Sequence, residues 1–169
     1  TPLRIDYQMQ ALKSLRKGIE NYDRRRGWRG PITNKLINKN WKKIISQYKL
    51  DPTLNWRLVE IISLEKNEIK FRTIDDKKEK KTETLTYEKF KWSIPKKKLI
   101  QDIHKVGDII FVKKEDSIWN LKQYPKINGG IVVLNPFTGD VLALVGGFNF
   151  KKSEFNRVTQ AKRQPGSAF

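Results

Sequence analysis

The chain has 169 residues, 36 Lys+Arg, 18 Asp+Glu and one His, for a formal net charge of +18. That length suits one ordinary domain or a small domain with pieces of another, and 37 % hydrophobic and 11 % aromatic residues exclude a wholly disordered chain. Zero cysteines exclude a disulfide scaffold and any cysteine-ligated metal, and His104 alone is too little for a histidine-cluster metal site or a triad built on several histidines.

Leu3 to Gln8 alternate apolar and polar side chains and predict a short strand. Met9, Leu12, Leu15, Ile19 and Tyr22 follow at steps of three and four and predict a helix over 8–22, stopped by Gly27, Gly30 and Pro31. Leu36, Ile37, Trp41, Ile44, Ile45 and Tyr48 predict a second amphipathic helix, ended by Asp51-Pro52. The period then changes to that of strands: Trp56–Leu64, a Lys66-Asn67 turn, Ile69–Ile74, a charged turn at 75–81, and Thr82–Tyr87. Ile100–Val106 suits a helical turn. Asp108–Lys113 and Ser117–Tyr124 are the last two strands of this group, joined at Lys114-Glu115-Asp116. Five short strands with a large connection between the third and fourth predict an OB-type Greek-key barrel, with an SH3-like barrel as the competitor. After Gly129-Gly130, Ile131–Leu134 and Val141–Val145 form an apolar hairpin that expects helices or a second sheet as cover. The fold expected is thus mainly β with flanking helices (α+β), a five-stranded OB-like barrel lying between an N-terminal helical segment and this hairpin.

The charge has two competing explanations. A basic chain is the usual electrostatic footprint of nucleic-acid binding. Yet Lys outnumbers Arg 26 to 10, Ile occurs 18 times and Ala 4 times, a skew that codons of an AT-rich genome would also produce. Residues 13–43 hold 11 basic and 2 acidic residues, half of the net charge. Thr1-Pro2-Leu3-Arg4 lacks the apolar region of a signal peptide, and no apolar run approaches the ~18–20 residues of a membrane span.

Three stretches carry a resemblance. The first is Asn21-Tyr22-Asp23-Arg24-Arg25-Arg26-Gly27-Trp28-Arg29-Gly30-Pro31, following Leu3 to Gly18. The second runs from Val106-Gly107-Asp108 through Trp119-Asn120-Leu121 to Gly129-Gly130. The third and most specific is Leu134-Asn135-Pro136-Phe137-Thr138-Gly139-Asp140-Val141-Leu142-Ala143-Leu144-Val145-Gly146-Gly147, continuing as Phe155-Asn156-Arg157 and Gln160-Ala161-Lys162-Arg163-Gln164-Pro165-Gly166-Ser167-Ala168-Phe169. In order, they resemble class A penicillin-binding proteins of the 1A type from Gram-negative bacteria, over essentially the whole chain and weakest over 32–105.

The resemblance implies a bifunctional peptidoglycan synthase on the periplasmic side of the bacterial inner membrane. A membrane helix and a glycosyltransferase domain come first, a penicillin-sensitive D,D-transpeptidase domain comes last, and an OB-like domain is inserted early in the latter. Residues 1–30 would then be a transpeptidase-side flank, 31–53 a helical connector, 54–125 the OB-like domain and 126–169 the truncated start of the transpeptidase domain. The implied partners are peptidoglycan strands and stem peptides, β-lactams, and a periplasmic regulator on the OB-like domain. No cofactor or metal is implied.

The family's acyl transfer uses Ser-x-x-Lys, because residues three apart on a helix share a face and the amine can take the hydroxyl proton. Ser167-Ala168-Phe169 supplies the first three positions, so Ser167 corresponds to the nucleophile, and its lysine partner is absent from these residues. The chain by itself is therefore expected to be inactive, a spacer or interaction module.

Other candidates have plainer readings beside them. Arg24-Arg25-Arg26 with Trp28 and Arg29 could grip phosphate, or simply end a helix where its dipole favours cations. His104 is expected in a surface connection. Asp75-Asp76 could hold a cation but sit among lysines. Trp56, Phe71, Trp92, Phe111 and Trp119 could stack bases or fill a core. A nucleic-acid-binding OB protein is the alternative function and the less favoured one, and the basic stretch 13–43 could face an anionic membrane surface.

Overall fold

The computed structural model describes residues 5–74, 81–126, 130–134, 137, 141–146 and 148. They fall in two compact units, one of residues 1–25 with 125–169 and one of residues 26–124.

In the first unit, α1 spans Ile5–Arg25. The strand expected at 3–8 is helical from Ile5 onward, with Asp6 in the first turn, where the helix dipole favours an anion. Ala11, Leu12, Arg16, Ile19 and Asp23 form the buried stripe. The helix packs across an antiparallel hairpin of β7 (Gly130–Leu134) and β8 (Val141–Gly146), which supplies the cover that hairpin was expected to need. Arg16 Nε donates to the Phe148 carbonyl at 3.0 Å, and the Lys126 N–H donates to Asp23 Oδ1 at 3.3 Å.

The second unit is built on an antiparallel sheet. Its elements are β1 (Thr33–Asn34), α2 (Trp41–Ser46), β2 (Trp56–Glu65), β3 (Glu68–Thr73), β4 (Thr82–Thr86), α3 (Tyr87–Phe90), α4 (Ile100–Ile103), β5 (Asp108–Glu115) and β6 (Ile118–Lys122). The ladder order is β1-β5-β2-β3-β4, with β6 also on β5. Ile109 pairs with both Asn34's neighbour Thr33 and Glu60, while Phe111 pairs with both Leu58 and Lys122. β1 and β6 therefore lie end to end along one edge of β5, with β2 along the other. The sheet curls until β4 approaches β6, yet no ladder joins them among the described residues. The expected closed five-stranded barrel is thus an open, six-stranded curled sheet.

Local chemistry explains the other departures. The predicted helix over Leu36–Tyr48 shrinks to Trp41–Ser46, and Leu36 and Ile37 are exposed in a turn. Asn34 is the cause: its Oδ1 accepts the Leu36 and Ile37 N–H groups at 2.8 and 3.2 Å, a side-chain alternative to helix. Its Nδ2 donates to Asp108 Oδ1 at 2.9 Å, which pins β1 to β5. Gly107 is required there, since φ is +90° and a Cβ would stand 2.7 Å from Leu36 Cγ. Tyr87, expected to end a strand, instead starts α3. The last hairpin turns at Asp116-Ser117 rather than at 114–116, with φ of 49° and 64° and Glu115 paired to Ile118. That is the two-residue geometry that suits the strand twist.

The core holds Val59, Ile61, Ile69, Phe71, Leu85, Phe90, Ile110, Val112 and Leu121, with Trp28, Trp92 and Trp119 packed against it. Of the five aromatics weighed as stacking platforms, Phe71 and Phe111 are buried, and Trp56, Trp92 and Trp119 are half-buried.

Candidate functional site

Successive residues of a strand point to opposite faces, so the inward positions of the curled sheet can be followed past its apolar layer. On β2 they run Ile61, Val59, Arg57; on β3 Ile69, Phe71, Thr73; on β4 Leu85, Glu83; on β5 Ile110, Val112, Lys114; on β6 Leu121, Trp119. Register places these on one face: Arg57 is opposite Val112, Thr73 opposite Val59, Glu83 opposite Phe71 and Lys114 opposite Trp119. At one end, then, every strand of the curl replaces its apolar inward residue with a polar or aromatic one. These residues line a groove of about 720 Å³, completed by the 50–52 turn, Asn55, Trp56 and Lys81.

The groove has a defined chemistry. Arg57, Lys81 and Lys114 are exposed, and none is paired with a carboxylate among the described residues. Glu83 is half-buried and likewise unpaired. Trp119 sets its edge on Phe71, with ring centroids 5.5 Å apart, and carries Lys114 Nζ 5.7 Å over its own ring. Asp51 accepts from Thr53 N–H and Oγ1 at 2.9 and 2.7 Å and so fixes the turn that forms one wall.

His104 is fully buried, not in a surface connection. Its Nε2 lies 2.8 Å from Ser93 Oγ, and that hydroxyl donates to the Phe90 carbonyl at 2.6 Å. With the hydroxyl donating to the carbonyl, its oxygen can accept from an Nε2–H. Nδ1 has no hydrogen-bond partner among the described residues. The ring sits 5.4 Å from Trp28 and 6.2 Å from Phe90, and burial pulls its pKa from 6.5 to about 4. A serine that gives its proton away from the histidine, in a closed aromatic box, is a structural pair and not a nucleophile with its base. Sequence reading missed this pair, because nothing in an eleven-residue separation signals it.

The remaining sequence candidates do not converge. Arg24 and Arg25 end α1, with Arg25 over Tyr22 at 5.8 Å. Arg29 spends a guanidinium N–H on the Tyr124 carbonyl at 2.8 Å, and Trp28 turns into the His104 box, 5.6 Å from Trp92. Among the described residues no group of three or more His, Cys, Asp or Glu is arranged to hold a metal ion. No described helix is long and apolar enough to cross a membrane. Ser167 and Asp75-Asp76 lie outside the described residues.

Residues 28–127 match the family described as penicillin-binding protein OB-like domain. The chain belongs to that family. It is similar to penicillin-binding protein 1A of Rickettsia felis, 40 % identical over 166 residues that cover 96 % of this chain and 20 % of the relative. It is also similar to penicillin-binding protein 1A of Escherichia coli K12, 32 % identical over 173 residues, 95 % of this chain and 20 % of the relative. The crystal structure of penicillin-binding protein 1A from Haemophilus influenzae superposes with a TM-score of 0.69 at 27 % identity, covering 94 % of this chain and 23 % of that one. Within the class A, 1A-type penicillin-binding proteins the chain is an OB-like portion, about a fifth of the length of the relatives it matches.

Proposed function

We propose that the chain is the non-catalytic OB-like module of a bifunctional peptidoglycan glycosyltransferase and D,D-transpeptidase on the periplasmic side of the bacterial inner membrane. Residues 1–30 and 126–169 are its transpeptidase-side flanks. The module spaces the catalytic domains and offers a docking surface to a periplasmic regulator. The observation that carries this reading is that the OB-like match at 28–127 lies inside a similarity to penicillin-binding protein 1A covering 96 % of the chain.

In the parent protein Ser167 is the nucleophile. Its Oγ attacks the carbonyl of a stem peptide or the β-lactam ring, a lysine one helical turn on accepts the hydroxyl proton, and the C–N bond breaks with the amine as leaving group. The acyl-enzyme then passes to an acceptor amine of a neighbouring strand.

Fluorescent penicillin tests this. The chain should remain unlabelled, while the parent protein should label and lose the label on Ser167→Ala. A covalent adduct on the 169-residue chain overturns the mechanism. The basic turn around Lys39, Lys42 and Lys43, with Leu36 and Ile37 exposed beside it, favours contact with an anionic membrane surface. Equal co-sedimentation with anionic and neutral vesicles removes that part.

A further inference from the structure

We infer that the groove at the open end of the curled sheet binds a carboxylated glycan strand. This goes beyond the reading above, because it gives the module a ligand of its own and rests on the groove rather than on family membership.

Three observations carry it. First, the five strands place Arg57, Thr73, Glu83, Lys114 and Trp119 in one polar layer directly above the apolar core. Arg57 and Lys114 are exposed and Glu83 is half-buried, so this layer is open to solvent and its polar groups are available to a ligand. Second, the volume of about 720 Å³ falls within the range of small-molecule sites, roughly 300–1,000 Å³. A short run of sugar rings fits such a space. Third, the chemistry is mixed. Trp119 offers a flat apolar wall for the C–H face of a sugar ring. Thr73, Asn55 and the unpaired Glu83 carboxylate supply acceptors and donors for hydroxyl and amide groups. Arg57, Lys81 and Lys114 are placed for carboxylates, Arg57 with a fork that can take one bidentately.

The same set argues against a nucleic-acid strand. A phosphate backbone needs a continuous cationic track, whereas Glu83 and Asp51 stand among the three cations here. A polyol with occasional carboxylates tolerates, and uses, that mixture.

The test is a titration of the isotope-labelled chain, read at the indole N–H signals of Trp119 and Trp56. Three probes are used: peptidoglycan glycan strands stripped of peptides, which carry a lactyl carboxylate on every second sugar; N-acetylglucosamine oligomers of equal length, which are uncharged; and oligo(dT). The expected result is that the carboxylated strands shift the Trp119 indole signal and bind about ten-fold tighter than the neutral oligomers. Arg57→Ala and Lys114→Ala, both exposed positions, should each weaken the carboxylated strand about ten-fold and the neutral oligomer by less. Glu83→Gln should weaken both glycans. Trp119→Ala removes packing on Phe71, so the Arg57 and Lys114 variants decide the matter. The inference is overturned if the Trp119 indole signal does not move, if the Arg57 and Lys114 variants have no effect, or if oligo(dT) binds as tightly as the carboxylated strand. None of these outcomes touches the penicillin-labelling result, so the two readings fail separately.

Discussion

In the unit of residues 26–124, nine buried apolar side chains from five strands and α3 meet in one cluster. In the unit of residues 1–25 and 125–169, α1 buries Arg16 and Asp23 alongside Ala11, Leu12 and Ile19, and leaves Ile5, Met9 and Tyr22 exposed. The sheet unit is held by apolar burial. In the unit of α1, polar side chains also grip backbone groups of a segment more than a hundred residues away, the Phe148 carbonyl and the Lys126 N–H. Such bonds contribute modestly to stability, about 1.5–3 kcal/mol for one to a charged group, but they fix one docking arrangement.

The largest test of that contrast is Phe71→Ala. Phe71 is fully buried, and its loss should cost the sheet unit about 3–5 kcal/mol. Hydrogen exchange locates the effect. Protection should fall in β2, β3, β5 and β6 and hold in α1. An equal loss of protection in α1 would show one cooperative unit and break the contrast.

Much of this was legible in the residues. The strands of the sheet follow from alternation: Val59 and Ile61, Ile69 and Phe71, Ile110 and Val112 each step by two. So did the apolar hairpin and its need for cover. What was not legible depended on side chains acting across the sequence. Asn34 stopping a helix and holding Asp108 needed a contact 74 residues away. The open seam between β4 and β6 is likewise left unset by residue pattern. Ser167, outside the described residues, is read only from its neighbours Arg163-Gln164-Pro165-Gly166, and the fold does not test it. The groove was half legible, since Arg57 continues the alternation of Ile61 and Val59, but only the register shows that Lys114, Glu83 and Trp119 share its layer.

Acid sharpens the contrast with a somewhat smaller effect, because His104 belongs to the sheet unit. Its pKa is lowered from 6.5 to about 4 by burial. Between those values the unfolded chain binds a proton that the folded chain refuses, so stability falls as pH drops from 6.5 towards 4 and is fully kept above 6.5. The loss should reach about 3 kcal/mol. Asp108 works the other way: burial raises its pKa, so the folded chain keeps its proton above the ordinary carboxylate range and gains stability as pH falls there. Denaturation of the chain and of His104→Gln across this range separates the two. The variant should lose the slope between 6.5 and 4 in the sheet unit. An unchanged slope would show that some other group controls acid sensitivity.

The smallest effect concerns the turn that joins β5 to β6. Asp116 and Ser117 both have positive φ, 49° and 64°. Aspartate tolerates that conformation better than serine does, and glycine best of all. The left-handed region costs a residue with a Cβ about 1–2 kcal/mol, partly offset because glycine loses more freedom on folding, about 0.5–1 kcal/mol. Ser117→Gly should therefore stabilise the sheet unit by about 0.5–1 kcal/mol. The gain should appear as a higher denaturation midpoint with an unchanged slope, and as greater protection of the β5 and β6 amides alone. Because Trp119 and Lys114 flank this turn and line the groove, the same variant bears on binding. A turn relieved of left-handed strain keeps that wall in place, so glycan affinity should stay equal or rise slightly. A fall in affinity would mean that the wall must move to admit the strand.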